Sequence, residues 1–145
     1  MKYALLIAAL AACNPYLTQQ SVAPPGRAAR LDTVDGFWGL KYYRLELSKG
    51  VALAVTCEQG GPCSHPQMLS DDPAIAEVRP ASLTQLQQVG LTMQTPASAF
   101  VVVGKAPGTT KLHVRTHDGT RDVVVTVIAP PPPANEQTVA KTAAE

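Results

Sequence analysis

Ser98-Ala-Phe-Val-Val-Val-Gly-Lys-Ala-Pro-Gly-Thr-Thr-Lys-Leu-His-Val-Arg-Thr-His-Asp-Gly-Thr-Arg-Asp-Val-Val-Val-Thr-Val-Ile-Ala129 decides the fold class. Phe100–Val103 is an apolar run of strand length. Gly104-Lys-Ala-Pro-Gly108 reverses the chain. Thr110, Leu112, Val114 and Thr116 then alternate with Lys111, His113 and Arg115, which gives a strand with one buried and one solvated face. Asp118-Gly119 supplies the positive-φ pair of a type I′ hairpin turn. Arg121–Ile128 is apolar on both faces, which puts it in the middle of a sheet or beside a covering loop. The stretch reads as three strands and two turns.

Moving upstream, Tyr43, Leu45 and Leu47 alternate with Arg44, Glu46 and Ser48. Lys49-Gly50 is a turn, and Val51, Leu53, Val55 and Cys57 share a face of the next strand. Ala52, Ala54 and Thr56 on its other face are small enough to lie under a neighbour. Residues 65–70 make a short strand or crossover. Asp72-Pro73 starts a turn, in which Asp71 and Asp72 suit Asx-turn bonding better than calcium, which needs more oxygens than are nearby. Ile75–Val78 begins another strand. Ser82-x-x-Gln85 fits a capping box, so a helical turn is expected over 82–88, followed by a strand over 89–94.

The chain has 145 residues, enough for one domain with tails, and a formal charge of +1. It therefore has no basic field to hold nucleic acid or an anionic surface. No apolar run is long enough for a transmembrane helix.

Met1-Lys-Tyr-Ala-Leu-Leu-Ile-Ala-Ala-Leu-Ala-Ala-Cys13 has one basic residue, an apolar run and then small residues, the layout of a secretory signal. Its end, Leu10-Ala11-Ala12-Cys13, resembles the lipobox of bacterial lipoproteins. The resemblance implies that Cys13 is acylated and becomes the mature N-terminus once residues 1–12 are removed. Two or more acyl chains give stable anchoring. Asn14 in place of Asp leans toward the outer membrane rather than the inner one. Residues 13–37 carry little periodicity and are punctuated by Pro15, Pro24, Pro25 and Gly26, so a flexible tether of about 25–30 Å is expected there. Residues 129–145 open with four prolines and read as a disordered tail.

Once Cys13 is set aside, Cys57 and Cys63 remain, an even count in an exported chain. A disulfide between them is expected, with Gly60-Gly61-Pro62 turning the chain back. A zinc site on Cys57, Cys63 and His65 lacks a fourth ligand. His113 and His117 would stand about 13 Å apart on a strand, too far to share an ion, and read as surface residues. No metal or cofactor is expected. There is no Gly-x-Ser-x-Gly, phosphate-binding glycine loop or His-Glu-x-x-His, and no enzymatic activity is expected.

Val51–Thr56, Ser70-Asp-Asp-Pro-Ala-Ile-Ala-Glu-Val78, Val103-Gly-Lys-Ala-Pro-Gly-Thr-Thr-Lys-Leu-His-Val114 and Val123–Val127 together resemble the group-two bacterial Ig-like domains of surface proteins. The resemblance spans roughly 45–128. It implies an all-β, Ig-like antiparallel sandwich of about seven strands over 38–128, with Ala76 buried and no catalytic residues. The chain departs from the family in the Cys57–Cys63 loop and in a longer insert over 79–97. Trp38, the only tryptophan, either caps the open end of the sandwich or stands exposed as a binding anchor, and a binding surface would lie at it and at these departures: Trp38, His65 and Gln87. The expectation is a lipid-anchored protein of the bacterial cell membrane or outer membrane, facing the periplasm or exterior. Its domain would bind an envelope protein or glycan, and a structural subunit of a larger envelope complex is the alternative.

Overall fold

The computed structural model describes residues 15–36, 41–59, 62–82, 98–117 and 119–130. Nine strands form two facing sheets, and no helix occurs among the described residues. They are β1 (Tyr16–Gln19), β2 (Ala29–Asp35), β3 (Lys41–Ser48), β4 (Ala52–Glu58), β5 (Gln67–Ser70), β6 (Ala76–Ser82), β7 (Ser98–Gly104), β8 (Gly108–Arg115) and β9 (Thr120–Ile128).

One sheet has the order β1-β4-β7-β6 and the other β2-β3-β9-β8-β5. The first matches the A-B-E-D sheet of an immunoglobulin sandwich, and β9-β8-β5 matches G-F-C. The β2–β3 hairpin is added on the free side of β9, with β3 running parallel to β9. The fold is thus the expected all-β, Ig-like sandwich, with nine strands among the described residues where about seven are expected.

The core follows the period-2 patterns. Tyr43, Leu45 and Leu47 of β3, Leu53, Val55 and Cys57 of β4, Leu112 and Val114 of β8, and Val123, Val125 and Val127 of β9 are all buried. Each buried Leu or Val contributes roughly 1.5–3 kcal/mol of apolar transfer. Ala76 is fully buried, as the family resemblance implies. β9 is the middle strand of its sheet, but only one of its faces is covered: Val123, Val125 and Val127 are buried, while Val124 and Ile128 are 38% and 37% exposed.

The opening stretch differs from a simple meander. The β8–β9 hairpin forms, closed by Thr116 N–H donating to the Gly119 carbonyl at 2.8 Å. The Gly104–Gly108 reversal instead passes the chain from one sheet to the other, because β7 pairs with β4 and β6. Gly104 packs tightly there: a Cβ would lie 3.0 Å from the Ser48 carbonyl oxygen and 3.1 Å from Val127 Cγ1. Gly108 has φ +154° and would bring a Cβ to 2.9 Å from Ile75 Cδ1.

The larger correction concerns residues 13–37. A tether is expected, yet β1 and β2 both lie in it, and the described part of the sandwich already includes Pro15, upstream of the expected start at Trp38. Pro15 and Leu17 are buried, and Pro24, Pro25 and Gly26 occupy the β1–β2 connection, outside the strands. Gln19 ties the segment together: its amide donates to the Ala29 carbonyl at 3.1 Å and accepts from Leu31 N–H at 2.9 Å. Gln20 and Ser21 cover the second face of β4, through Gln20 Nε2 to Thr56 Oγ1 at 3.0 Å and Ala54 N–H to Ser21 Oγ at 2.9 Å. Ala54 and Thr56 thus lie under a neighbour, while Ala52, expected with them, is exposed. Ser82 ends β6 as strand, and the rest of the helical turn expected over 82–88, with the strand over 89–94, lies outside the described residues. The tail lies outside them from residue 131 onward.

Candidate functional site

The strand registers gather several chain segments at one end of the sandwich. β1 begins there, with Tyr16 opposite Glu58 at the end of β4. β3 and β9 both start there, since they run parallel. The β8–β9 hairpin turns there, and β6 ends and β7 begins there with Ser82 opposite Ser98. The segments that carry Trp38 and Gln87 therefore leave and rejoin the described strands at this end, although both residues, like Cys13, lie outside the described residues. His65 belongs to the disulfide loop at the same end.

Cys57 and Cys63 are disulfide-bonded, with α-carbons 5.4 Å apart. Both are buried, and Cys63 N–H donates to the Cys57 carbonyl at 3.1 Å. Closure of this short loop stabilises by about 2 kcal/mol on a chain-entropy estimate. The loop packs on the β8–β9 hairpin: Thr116 Oγ1 donates to Gln59 Oε1 at 3.4 Å and His117 N–H to the Ser64 carbonyl at 3.4 Å. His65 is exposed with φ +46°, a left-handed conformation uncommon for a residue with a Cβ, and its Nδ1 lies 3.0 Å from Ser64 Oγ.

Arg121 organises the other half of this end. Its Nη1 donates to the Lys41 carbonyl at 2.7 Å and its Nε to the Pro15 carbonyl at 3.3 Å. Its guanidinium lies 5.5 Å from the Tyr43 ring centroid, in cation–π range. The Tyr43 hydroxyl accepts from Leu17 N–H at 3.2 Å. Lys41 Nζ sits 5.9 Å from the Tyr16 ring. Tyr16 and Tyr42 are each 53% exposed, so two large rings stand in solvent beside this cluster.

A second cluster lies on the outer face of the five-stranded sheet. His113 is on that face with Lys111 and Arg115, as the alternation predicts, but it is not a simple surface residue. Its Nε2 lies 2.8 Å from Asp71 Oδ1 and its Nδ1 2.7 Å from Asp122 Oδ1. Carboxylates only accept, so both contacts are hydrogen bonds only when the ring is the imidazolium. The Asp122 and then the Asp71 hydrogen bonds raise the His113 pKa above the ordinary imidazole value. Asp72 makes the expected Asx turn, its Oδ1 accepting from Ala74 N–H at 2.9 Å. On the same face Arg30, Asp32, Arg44, Glu46, Val124 and Thr126 line an open depression of about 390 Å³. Its charges alternate in sign, and Arg30 pairs with Asp32 at 2.7 Å, so it presents no field of one sign. Among the described residues no group of three or more His, Cys, Asp or Glu side chains is arranged to hold a metal ion.

Neither the Arg121 cluster nor the His113 bridge is foreseen from the sequence. Their partners are up to 106 positions apart. The only local sign is a charged residue set at the start of an otherwise apolar strand, as Arg121 and Asp122 are.

No protein-family model and no curated protein matches the sequence. Among solved structures, the chain is similar to parts of the S-layer protein SbsC. Domains 4 and 5 of the S-layer protein SbsC match at 18% identity and a TM-score of 0.42, over 80% of this chain and 54% of that one. A structure of SbsC domains 1–6 matches at 19% identity and a TM-score of 0.44, over 83% of this chain and 14% of that one. The chain thus spans about half or less of the structures it resembles. At this level the likeness concerns the course of the chain.

Proposed function

We propose that the protein is a lipid-anchored component of the bacterial cell envelope, whose Ig-like sandwich is a non-catalytic interaction module. The observation that carries this reading is Leu10-Ala-Ala-Cys13 directly after a short apolar run with a single basic residue before it. The Cys57–Cys63 disulfide supports it, since such bonds persist in oxidising compartments outside the cytoplasm. For the second half, among the described residues the His113 and Arg121 clusters set no nucleophile beside a base, and the Ser64 Oγ–His65 Nδ1 contact at 3.0 Å joins two exposed neighbours of one turn.

Metabolic labelling with an alkyne-tagged palmitate, in wild type and Cys13→Ser, tests the anchor. Label on the wild-type protein, none on the variant, and release of the variant from the membrane fraction are expected. A wild-type protein that takes up no label sinks the reading. For the module, crosslinking on intact cells followed by capture should return a discrete envelope protein or glycan at wild-type level. Capture unaffected by deletion of the folded domain would argue against a role for the sandwich.

A further inference from the structure

We propose that the Pro15 end of the sandwich lies directly on the bilayer surface, with Tyr16 and Tyr42 at the level of the lipid headgroups. This rests on the reading of Cys13 as the lipidated residue. Only Asn14 separates Cys13 from Pro15, so the two α-carbons are at most about 7.6 Å apart. Pro15 is not free to move away from the domain. It is buried, its carbonyl is held by Arg121 Nε at 3.3 Å, and the next four residues are paired to β4. An acyl chain on Cys13 would therefore hold this end against the membrane with no slack.

The exposed residues at this end suit that place. Tyr16 and Tyr42 are half exposed, and Lys41 extends its ammonium over the Tyr16 ring. Aromatic rings and long cationic side chains collect at membrane–water interfaces, with the ring or stem in the apolar boundary and the polar tip in water. Lys41, Arg115 and Arg121 stand at this end with Asp35, Glu58 and Asp122, so its charges balance. The contact thus depends on the anchor and the rings rather than on anionic lipid. At the opposite end β9 finishes, so the prolines that follow Ala129 begin on the side away from the membrane. The strand ends at Asp35, Lys41, Glu58, Ser82 and Ser98 also lie on the membrane side.

The test is hydroxyl-radical footprinting of the full-length protein lipidated in a bacterial host and reconstituted in phosphatidylcholine vesicles, with soluble Cys13→Ser as reference. Tyr16 and Tyr42 should be modified several-fold less in the vesicles, while Val22 and Ile128, both exposed and away from this end, stay unchanged. Vesicles containing phosphatidylglycerol should give the same pattern. An insert of about ten Gly-Ser residues between Asn14 and Pro15, ~17 Å of coil, should keep the protein on vesicles and return both tyrosines to the reference level. Intact mass separates the failures. Lipidated protein with no protection at Tyr16 and Tyr42, or protection that survives the insert, overturns this proposal and leaves the anchor standing. Protein without acyl mass overturns the anchor reading itself.

Discussion

The two ends of the sandwich are closed by different means. At the end away from Pro15, backbone groups do most of the work, with Ser48 Oγ accepting from Ala28 N–H at 2.8 Å as a side-chain tie. Lys49 N–H donates to Ile128 at 2.8 Å, Gly50 to Gly104 at 2.7 Å, Gly104 to Val51 at 3.0 Å and Lys105 to Ile75 at 2.8 Å. Gly104 is packed so closely that a side chain would meet Ser48 and Val127. At the Pro15 end backbone bonds close the individual turns, Cys63 to Cys57 at 3.1 Å and Thr116 to Gly119 at 2.8 Å, but side chains make most of the ties between segments: Arg121 to two carbonyls, Tyr43 to Leu17, Thr116 to Gln59, and a disulfide. Backbone closure tolerates most sequences but needs glycine where chains touch. Side-chain closure tolerates an irregular backbone, at the risk that one substitution opens a whole segment. The end that would bear loops and an anchor is the one built in the second way.

Substitutions at each end should therefore differ in reach. The largest effect is expected from Leu47→Ala, which empties a fully buried site next to Gly104 and should cost about 2–5 kcal/mol in denaturant unfolding. Gly104→Ala at the same end should cost about 1–3 kcal/mol by overpacking, with cooperative unfolding kept. A cost below that range would mean the close packing at this end relaxes easily, and the contrast would weaken. The paired change Cys57→Ser and Cys63→Ser should cost about 2 kcal/mol and speed amide exchange in the 116–119 hairpin while leaving Gly50 and Lys105 protected. Arg121→Met keeps the stem but removes bonds to Pro15 and Lys41. It should cost roughly 1–3 kcal/mol and loosen β1 first, seen as early exchange at Leu17 and Thr18. Uniform loosening across both ends would count against a side-chain-built closure.

The smallest effect is expected on the open face between the ends. The folded-state pKa of His113 is raised by Asp122 and Asp71, so its contribution is fully present below the ordinary imidazole value of about 6.5. It fades as pH rises through the raised value, because the neutral ring can donate to only one of the two carboxylates. Wild type should exceed His113→Gln in Tm by a modest margin at pH 5.5, and the margin should shrink by pH 9. His113 is about one-third exposed, which keeps the effect small. An unchanged margin would show that the bridge is not an ionic one.

Much of the sandwich is legible because strands announce themselves by period. The alternation in Tyr43–Ser48 and Thr109–Thr116 gives both the strand and its buried face, and the apolar β9 gives its central place. β1 and β2 are not legible in that way. Tyr16–Gln19 sends one hydrophobic residue, Leu17, into the core, and β2 pairs through polar residues such as Asp32 opposite Arg44. Four residues with one inward side chain cannot be told from a coil by pattern, and prolines nearby reinforce the wrong reading. A hint lay in β4, whose small residues Ala54 and Thr56 implied a cover without saying what it was. At the candidate site, the disulfide is legible from cysteine count and spacing. Arg121, Tyr43 and the His113 bridge are not, since each takes its role from partners that only folding brings near.

The amino-acid sequence alone determined most strands of the core, the inward face where apolar and polar residues alternate, the hairpin at 116–119 and the pairing of Cys57 with Cys63. These depend on local period, local turn chemistry and a count of two. Tertiary structure alone decided that residues 16–35 belong to the sandwich, that the Gly104 turn crosses between sheets, and that Pro15 is pinned at the loop-bearing end. Those outcomes depend on which surfaces remain to be covered once the core has closed. That quantity belongs to the assembled sheets and to no single stretch of chain.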